Sequence, residues 1–157
     1  MEIRIISIGK VSVKWIKDGI EEYSSRLGKY VKFSIKEIPD IKQSGNKPIE
    51  KIKELEGISI LNELSSSDFV VVMDEKGHEY SSREFAVWIE KIMASGKKRL
   101  SLVIGGPFGF SQAVYDRADH KIALSKMTFT HEMAKLICTE QLYRAMSILK
   151  GEPYHHD

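Results

Sequence analysis

The stretch Leu100-Ser101-Leu102-Val103-Ile104-Gly105-Gly106-Pro107-Phe108-Gly109 decides the fold. Leu100 to Ile104 is an almost unbroken apolar run of strand length, the pattern of a strand buried on both faces. The glycines and the proline that follow make a turn, and Ser111 stands where it can cap a short helix to Ala118. Outward in both directions the same grammar repeats. Phe69 to Met73 is a second continuous apolar run. After it, Ser81 and Glu84 have the spacing of a capping box, with Phe85, Ile89 and Ile92 on one helical face behind them. Ile3 to Ile8 reads as a buried strand ending at Gly9. Ile16, Ile20, Tyr23 and Leu27 step by helical intervals to Gly28. Val31, Phe33 and Ile35 alternate as in a half-buried strand, and a helix is expected from about Pro48 to Leu64. Pro39 to Pro48, with Gly45-Asn46, reads as a polar loop. Downstream, Ile122 to Leu124 is a last short strand, and a long helix runs from about Thr130 to Lys150. Strands alternate with helices throughout, so the class is α/β with a mostly parallel sheet flanked by helices.

The last helix differs from the others. Met133, Leu136, Ile137, Leu142, Tyr143, Met146 and Leu149 wrap most of its circumference, which demands burial on more than one side. A partner subunit is the expected second cover, so a homodimer is expected.

With 157 residues, 42% hydrophobic and 29% charged, the chain is expected to form one domain over residues 1–157. Its longest apolar runs are far shorter than the roughly 20 residues of a membrane span. No basic stub precedes an apolar run at the amino terminus, so no secretory signal and a cytoplasmic location are expected. The single cysteine, Cys138, excludes an internal disulfide and a zinc cluster, and reads as a small core side chain. The net charge of +2 excludes binding RNA by bulk electrostatics, so any basic surface must be local. Lys10, Lys14 and Lys17 share a face by helical spacing, and Lys97-Lys98-Arg99 is a second cluster; the ordinary reading of each is a solvated surface.

Four segments can carry chemistry. Gly105 to Gly109 follows a strand and precedes a helix, where open α/β sheets hold ligands, and its glycines admit a close backbone approach. It lacks the Lys-Ser/Thr of a P-loop and is not G-x-G-x-x-G. Ser125-Lys126-Met127-Thr128-Phe129 sits in the same kind of position and sets backbone and hydroxyl groups beside apolar ones, which suits a purine. Glu140 and Arg144 lie four apart on a helix with little polar surface, where an ion pair needs a reason beyond stability. The tail Tyr154-His155-His156-Asp157 offers aromatic, imidazole and carboxylate groups; adjacent positions make a poor metal site, and no metal is expected.

Together, Leu102 to Gly109, Leu124 to Phe129, Glu140-Gln141-Leu142-Tyr143-Arg144-Ala145 and Pro153-Tyr154-His155 resemble the RlmH family, the bacterial SPOUT-class methyltransferases of large-subunit ribosomal RNA. Ile5 to Lys10, Glu22-Tyr23 and Arg26-Leu27 are similar too, so the resemblance spans essentially the whole chain. It implies S-adenosylmethionine as methyl donor, N3 of a pseudouridine in 23S rRNA as acceptor, a homodimer, and a SPOUT-type fold with a deep trefoil knot in its C-terminal half. Carried over by position, the donor side takes Met73, Gly105, Leu124, Ser125, Lys126, Met127, Thr128 and Phe129. The acceptor side takes Glu140, Arg144, Tyr154 and His155. Arg144 is the candidate for stabilising a developing imide anion, and His155 or Glu140 the candidate proton acceptor. Thr130 stands before His131 where the family often has proline, and His156 stands where it often has arginine. The low net charge favours 23S rRNA within the assembled ribosome over naked rRNA. Two other readings of the residues remain: a small α/β enzyme using another nucleotide at Gly105-Gly106, and a non-catalytic ribosome-binding protein.

Overall fold

The computed structural model describes residues 1–41 and 46–156. Gly45 of the expected loop and Asp157 of the tail lie outside the described residues. In chain order the elements are β1 (Glu2–Ile8), α1 (Lys14–Leu27), β2 (Lys32–Ile38), α2 (Ile49–Glu63), β3 (Asp68–Glu79), α3 (Ser82–Ala94), β4 (Arg99–Ile104), α4 (Gln112–Arg117), β5 (His120–Ala123) and α5 (His131–Leu149). The five strands form one sheet in the order β2-β1-β4-β3-β5, and every neighbouring pair is parallel.

Alternation along the strands builds two cores. Ile3, Ile5, Leu100, Leu102 and Val71 point to one face and meet Leu27, Ala86, Ile89, Cys138, Leu142 and Met146 from α1, α3 and α5. Ile6, Ile8, Val70, Val72 and Val103 point to the other and meet Ile60 of α2 and Val114 of α4. Each fully buried aliphatic side chain contributes about 1.5–3 kcal/mol, so these two layers dominate the stability.

Four expectations need correction. First, α5 packs between α1 and α3, over β1 and β4. Its all-round apolarity is therefore met largely within the chain; Met146 is buried, while Met133, Leu136 and Ile137 stay partly exposed. Second, β3 continues well past Met73. Its register against β5 shifts between Met73 and His78, after which His78 and Glu79 pair again with Ile122 and Ala123. Gly77 is required there, since a Cβ would stand 2.5 Å from the Ile122 carbonyl carbon. This extension is polar, so no hydrophobic run announced it. Third, Lys10 precedes α1 and does not share a helical face with Lys14 and Lys17. Fourth, Ser111 stands at the N-cap of α4 without a side-chain cap bond. Its hydroxyl faces Gly57 of α2 so closely that a Cβ there would lie 2.2 Å away. By contrast, the capping box of Ser81 and Glu84 forms as expected.

The first turn of α5 is bound to the loop after β1. Glu132 accepts from the Ser12 backbone N–H at 2.7 Å and from its hydroxyl at 2.8 Å. Those two donors hold its carboxyl below the ordinary value. Lys135, fully buried, pairs with Glu37 of β2 at 2.6 Å and donates to the Gly9 carbonyl at 3.3 Å. Gly9 itself has φ +85°, and a Cβ there would meet the His131 ring at 2.7 Å. These contacts set where α5 begins.

Candidate active site

A cavity of about 800 Å³ opens at the carboxyl ends of β4 and β5 and beside the middle of β3, where its first register with β5 ends; strand ends are where open α/β sheets carry ligands. Its size falls in the usual range for small-molecule sites. Met73, Gly105, Leu124, Ser125, Met127, Thr128 and Phe129 all line it, and Lys126 does not. Three neighbouring strands thus gather one set of residues that are far apart in sequence.

The walls are mostly backbone and apolar surface. At Gly105 a Cβ would come within 3.0 Å of the Phe110 ring, and at Gly106 within 2.7 Å of a Glu56 carboxylate oxygen. Two large apolar side chains of the loop between β5 and α5 remain uncovered, Met127 at 75% and Phe129 at 37% exposure. The same loop is shaped by Ser125, whose hydroxyl accepts from the Met127 N–H at 3.0 Å. Thr130 caps α5 by accepting from the Met133 N–H at 3.2 Å. Lys53, Asp74, Glu75, Tyr115 and His131 add the polar part of the lining.

The sequence did not single out Glu56, Asp74 or His131. Glu56 is buried beneath the glycine loop, where one of its oxygens has no hydrogen-bond partner among the described residues, and burial pushes its pKa up. A carboxyl on a helix that carries Lys51 and Lys53 just before it looks like surface until the loop is seen lying over it.

Glu140, Arg144, Tyr154 and His155 form a second constellation. Arg144 donates from Nε (3.1 Å) and Nη2 (2.5 Å) to Oε1 of Glu140. The Tyr154 hydroxyl donates to that same oxygen at 2.9 Å. Gln141 donates to the other oxygen of Glu140 at 2.7 Å. Nδ1 of His155 lies 3.3 Å from Arg144 Nη1. The Tyr154 ring is held between the Tyr143 ring, at 4.6 Å, and the Arg144 guanidinium, at 4.7 Å. Burial first, then the hydroxyl of Tyr23 and the carboxylate of Glu140, push the Tyr154 phenol upward, so it stays protonated and acts as a donor. The bond to Glu140 raises the Arg144 pKa further and keeps it cationic. Cys138 is buried and its thiol is pushed up to about 12, which suits a core side chain and not a nucleophile.

None of these four residues lines the cavity. From His131 at the cavity to Arg144, α5 advances about 20 Å at 1.5 Å per residue. One chain therefore holds the two groups apart.

A family model described as "Predicted SPOUT methyltransferase" matches residues 1–155. The chain belongs to the SPOUT methyltransferase family. Curated relatives agree along its whole length. A protein of Christiangramia forsetii named ribosomal RNA large subunit methyltransferase H is 52% identical over 156 residues, covering 99% of both chains. Proteins with the same name from Parabacteroides distasonis (49% identical, 100% of both chains) and Clostridium beijerinckii (44%, 99% of both chains) are similar too. SPOUT membership agrees with the five-stranded parallel sheet flanked by helices. Among the described residues, no helix is long and apolar enough to cross a membrane.

Proposed function

We propose that this SPOUT methyltransferase uses S-adenosylmethionine to methylate large-subunit ribosomal RNA, at N3 of a pseudouridine in 23S rRNA. Residues 1–157 are read as one domain, working in the cytoplasm as a homodimer with a knotted C-terminal half. The observation that carries the reading is the cavity at the ends of β4 and β5 beside β3, whose glycine-backed wall and exposed apolar rim suit a purine nucleoside. The relatives named as ribosomal RNA large subunit methyltransferases support the substrate class.

The fit of a nucleoside donor rests on the cavity itself. At Gly105 and Gly106 a side chain would collide with Phe110 and Glu56, so the loop presents bare backbone to the cavity. Met127 and Phe129 offer apolar surface for a ring. When bound, the donor supplies a methyl group activated on a sulfonium.

The protein's part is then orientation and proton handling. Holding two reactants in line can supply about 7–11 kcal/mol of the barrier. Arg144 presents a permanent cation that stabilises the anion left when the imide proton departs. Glu140 holds Arg144 and the Tyr154 phenol on one oxygen and is itself saturated by Gln141 on the other, so its role is positioning and not proton abstraction. His155, whose Nδ1 accepts from Arg144 here, is the better candidate to take the proton, at that nitrogen, once the guanidinium turns to the substrate anion. Because the constellation lies far along α5 from the cavity, a second chain brings its tail to the first chain's cavity, and the partly exposed Met133, Leu136 and Ile137 form part of the contact.

The test is methyl transfer from labelled donor to ribosomes of a strain lacking the gene, followed by nucleoside mass spectrometry. A methylated pseudouridine is expected, with assembled ribosomes a better substrate than naked 23S rRNA. Label in protein or in another nucleoside would overturn the assignment. No transfer, with nucleotides other than the methyl donor bound, would favour a different α/β enzyme.

A further inference from the structure

We propose that Asp74 reads the charge on the methyl donor, so that the cavity prefers the cationic sulfonium over the neutral demethylated product. This rests on the reading of the cavity as an S-adenosylmethionine site. Asp74 follows Met73 at the point where β3 leaves its first register with β5, and it is half-buried in the cavity wall. Its carboxylate is fixed on both oxygens. Oδ1 accepts from the Lys76 backbone N–H at 2.8 Å, and Oδ2 accepts from the Tyr115 hydroxyl. Tyr115 is anchored in turn, edge-on to Phe110 with ring centroids 5.6 Å apart and with the Lys121 ammonium 4.4 Å over its ring. The carboxylate therefore cannot swing out to water when a ligand enters.

Charge arithmetic makes the role specific. Among the described residues, the lysine and carboxylate side chains lining the cavity are Lys53, Asp74 and Glu75, whose formal charges sum to −1. Near neutrality S-adenosylmethionine carries a sulfonium, an ammonium and a carboxylate, a net +1. In the transfer the bond from sulfur to methyl breaks, its electron pair stays on sulfur, and the acceptor nitrogen gains the methyl and loses its proton. The product is a net-neutral thioether. Donor and product thus differ at the reacting end by one methyl and one charge, and a fixed carboxylate in a partly desolvated wall discriminates that charge better than shape does. Glu75 is exposed and screened, so Asp74 carries most of the effect. Preference for the donor also lets spent product leave.

The experiment is calorimetric titration of the full-length protein with S-adenosylmethionine, S-adenosylhomocysteine and sinefungin, in which an amine-bearing carbon restores a positive charge in place of the sulfonium. The wild type is expected to bind both cations more tightly than the thioether. Asp74→Asn is expected to weaken both cations by roughly tenfold while leaving the thioether within twofold. Equal loss for all three ligands would overturn the proposal and make Asp74 a contact to a group they share. Product binding as tight as donor binding in the wild type would overturn it without any variant. If the wild type binds none of the three, the donor reading itself falls, and this inference with it.

Discussion

Tyr154 and Arg144 converge on one carboxylate oxygen, Oε1 of Glu140, the phenol from 2.9 Å and the guanidinium through two of its N–H groups. The C-terminal tail is thereby fastened to the middle of α5. An i,i+4 ion pair on an exposed helix is worth a few tenths of a kcal/mol. Here the same spacing holds a third group in place and is mostly shielded from water.

Glu140→Gln should therefore cost activity far more than stability. The amide cannot balance Arg144 or hold the phenol as strongly, so turnover should fall by about 10²–10³, the usual effect of disturbing one stabilising contact to a developing anion. Donor affinity measured by calorimetry should stay within twofold, because Glu140 does not line the cavity. Truncation after Pro153 should behave alike, with donor bound and turnover absent. Full turnover by the truncated protein would show that Tyr154 and His155 do not act.

Gly105→Val tests the cavity. A branched side chain there must push aside the Phe110 ring, already 3.0 Å from a bare Cβ. Donor binding should drop at least tenfold while circular dichroism stays native. Unchanged affinity would move the donor elsewhere.

Lys135→Met probes the junction of α5 with the loop after β1. Removing the buried ammonium leaves Glu37 with the Val11 N–H as donor and frees the Gly9 carbonyl; breaking a buried pair costs about 3–5 kcal/mol, an upper figure here because Glu37 is about one-third exposed. Urea unfolding should show the loss, and Glu37→Gln in the same chain should recover part of it. Additive losses in that double-mutant cycle would mean that the two groups do not interact.

Ile137→Asp tests assembly. This side chain is partly exposed in the isolated chain, so the variant should fold but run as a monomer in sedimentation, without methyl transfer. Met146→Asp, by contrast, should unfold the protein, since Met146 is buried in the core. A folded, active Ile137→Asp monomer would end the homodimer proposal.

Asp68 gives a pH signature. Burial alone would push its carboxyl up, but Arg99, the Ser65 N–H and the Ser101 hydroxyl outweigh that and hold it below the ordinary 3.8. A carboxyl depressed in the folded state stabilises fully above the ordinary value, and the contribution fades as pH falls through the folded value. Stability from urea titration should therefore decline below about pH 4. Asp68→Asn should lose about 1.5–3 kcal/mol at pH 7, the worth of hydrogen bonds to a charged group, and should show a flatter acid limb.

By itself the sequence determined the class and the order of the elements. Ile3 to Ile8, Phe69 to Met73 and Leu100 to Ile104 announce strands because a buried pleat needs apolar side chains on both faces. Ser81 and Glu84 announce a helix start because their cap is closed within four residues. Such signals are local, so they survive without the fold. What only the tertiary structure decided depends on partners distant in the chain. The polar extension of β3 exists because β5 pairs with it again after the register shift. Lys135 and Glu56 are charged residues that look like surface, and they are inside because β2 and the glycine loop lie across them. The all-round apolarity of α5 called for cover but could not say from where, and α1 and α3 supply most of it. The residues lining the cavity meet because β4 and β5 end beside the point where β3 changes register, while Glu140 and Arg144 stand about 2.5 and 3.6 helical turns beyond His131 on the same α5. Spacing along a chain reports which face a residue occupies; only the packing of the elements reports what that face meets.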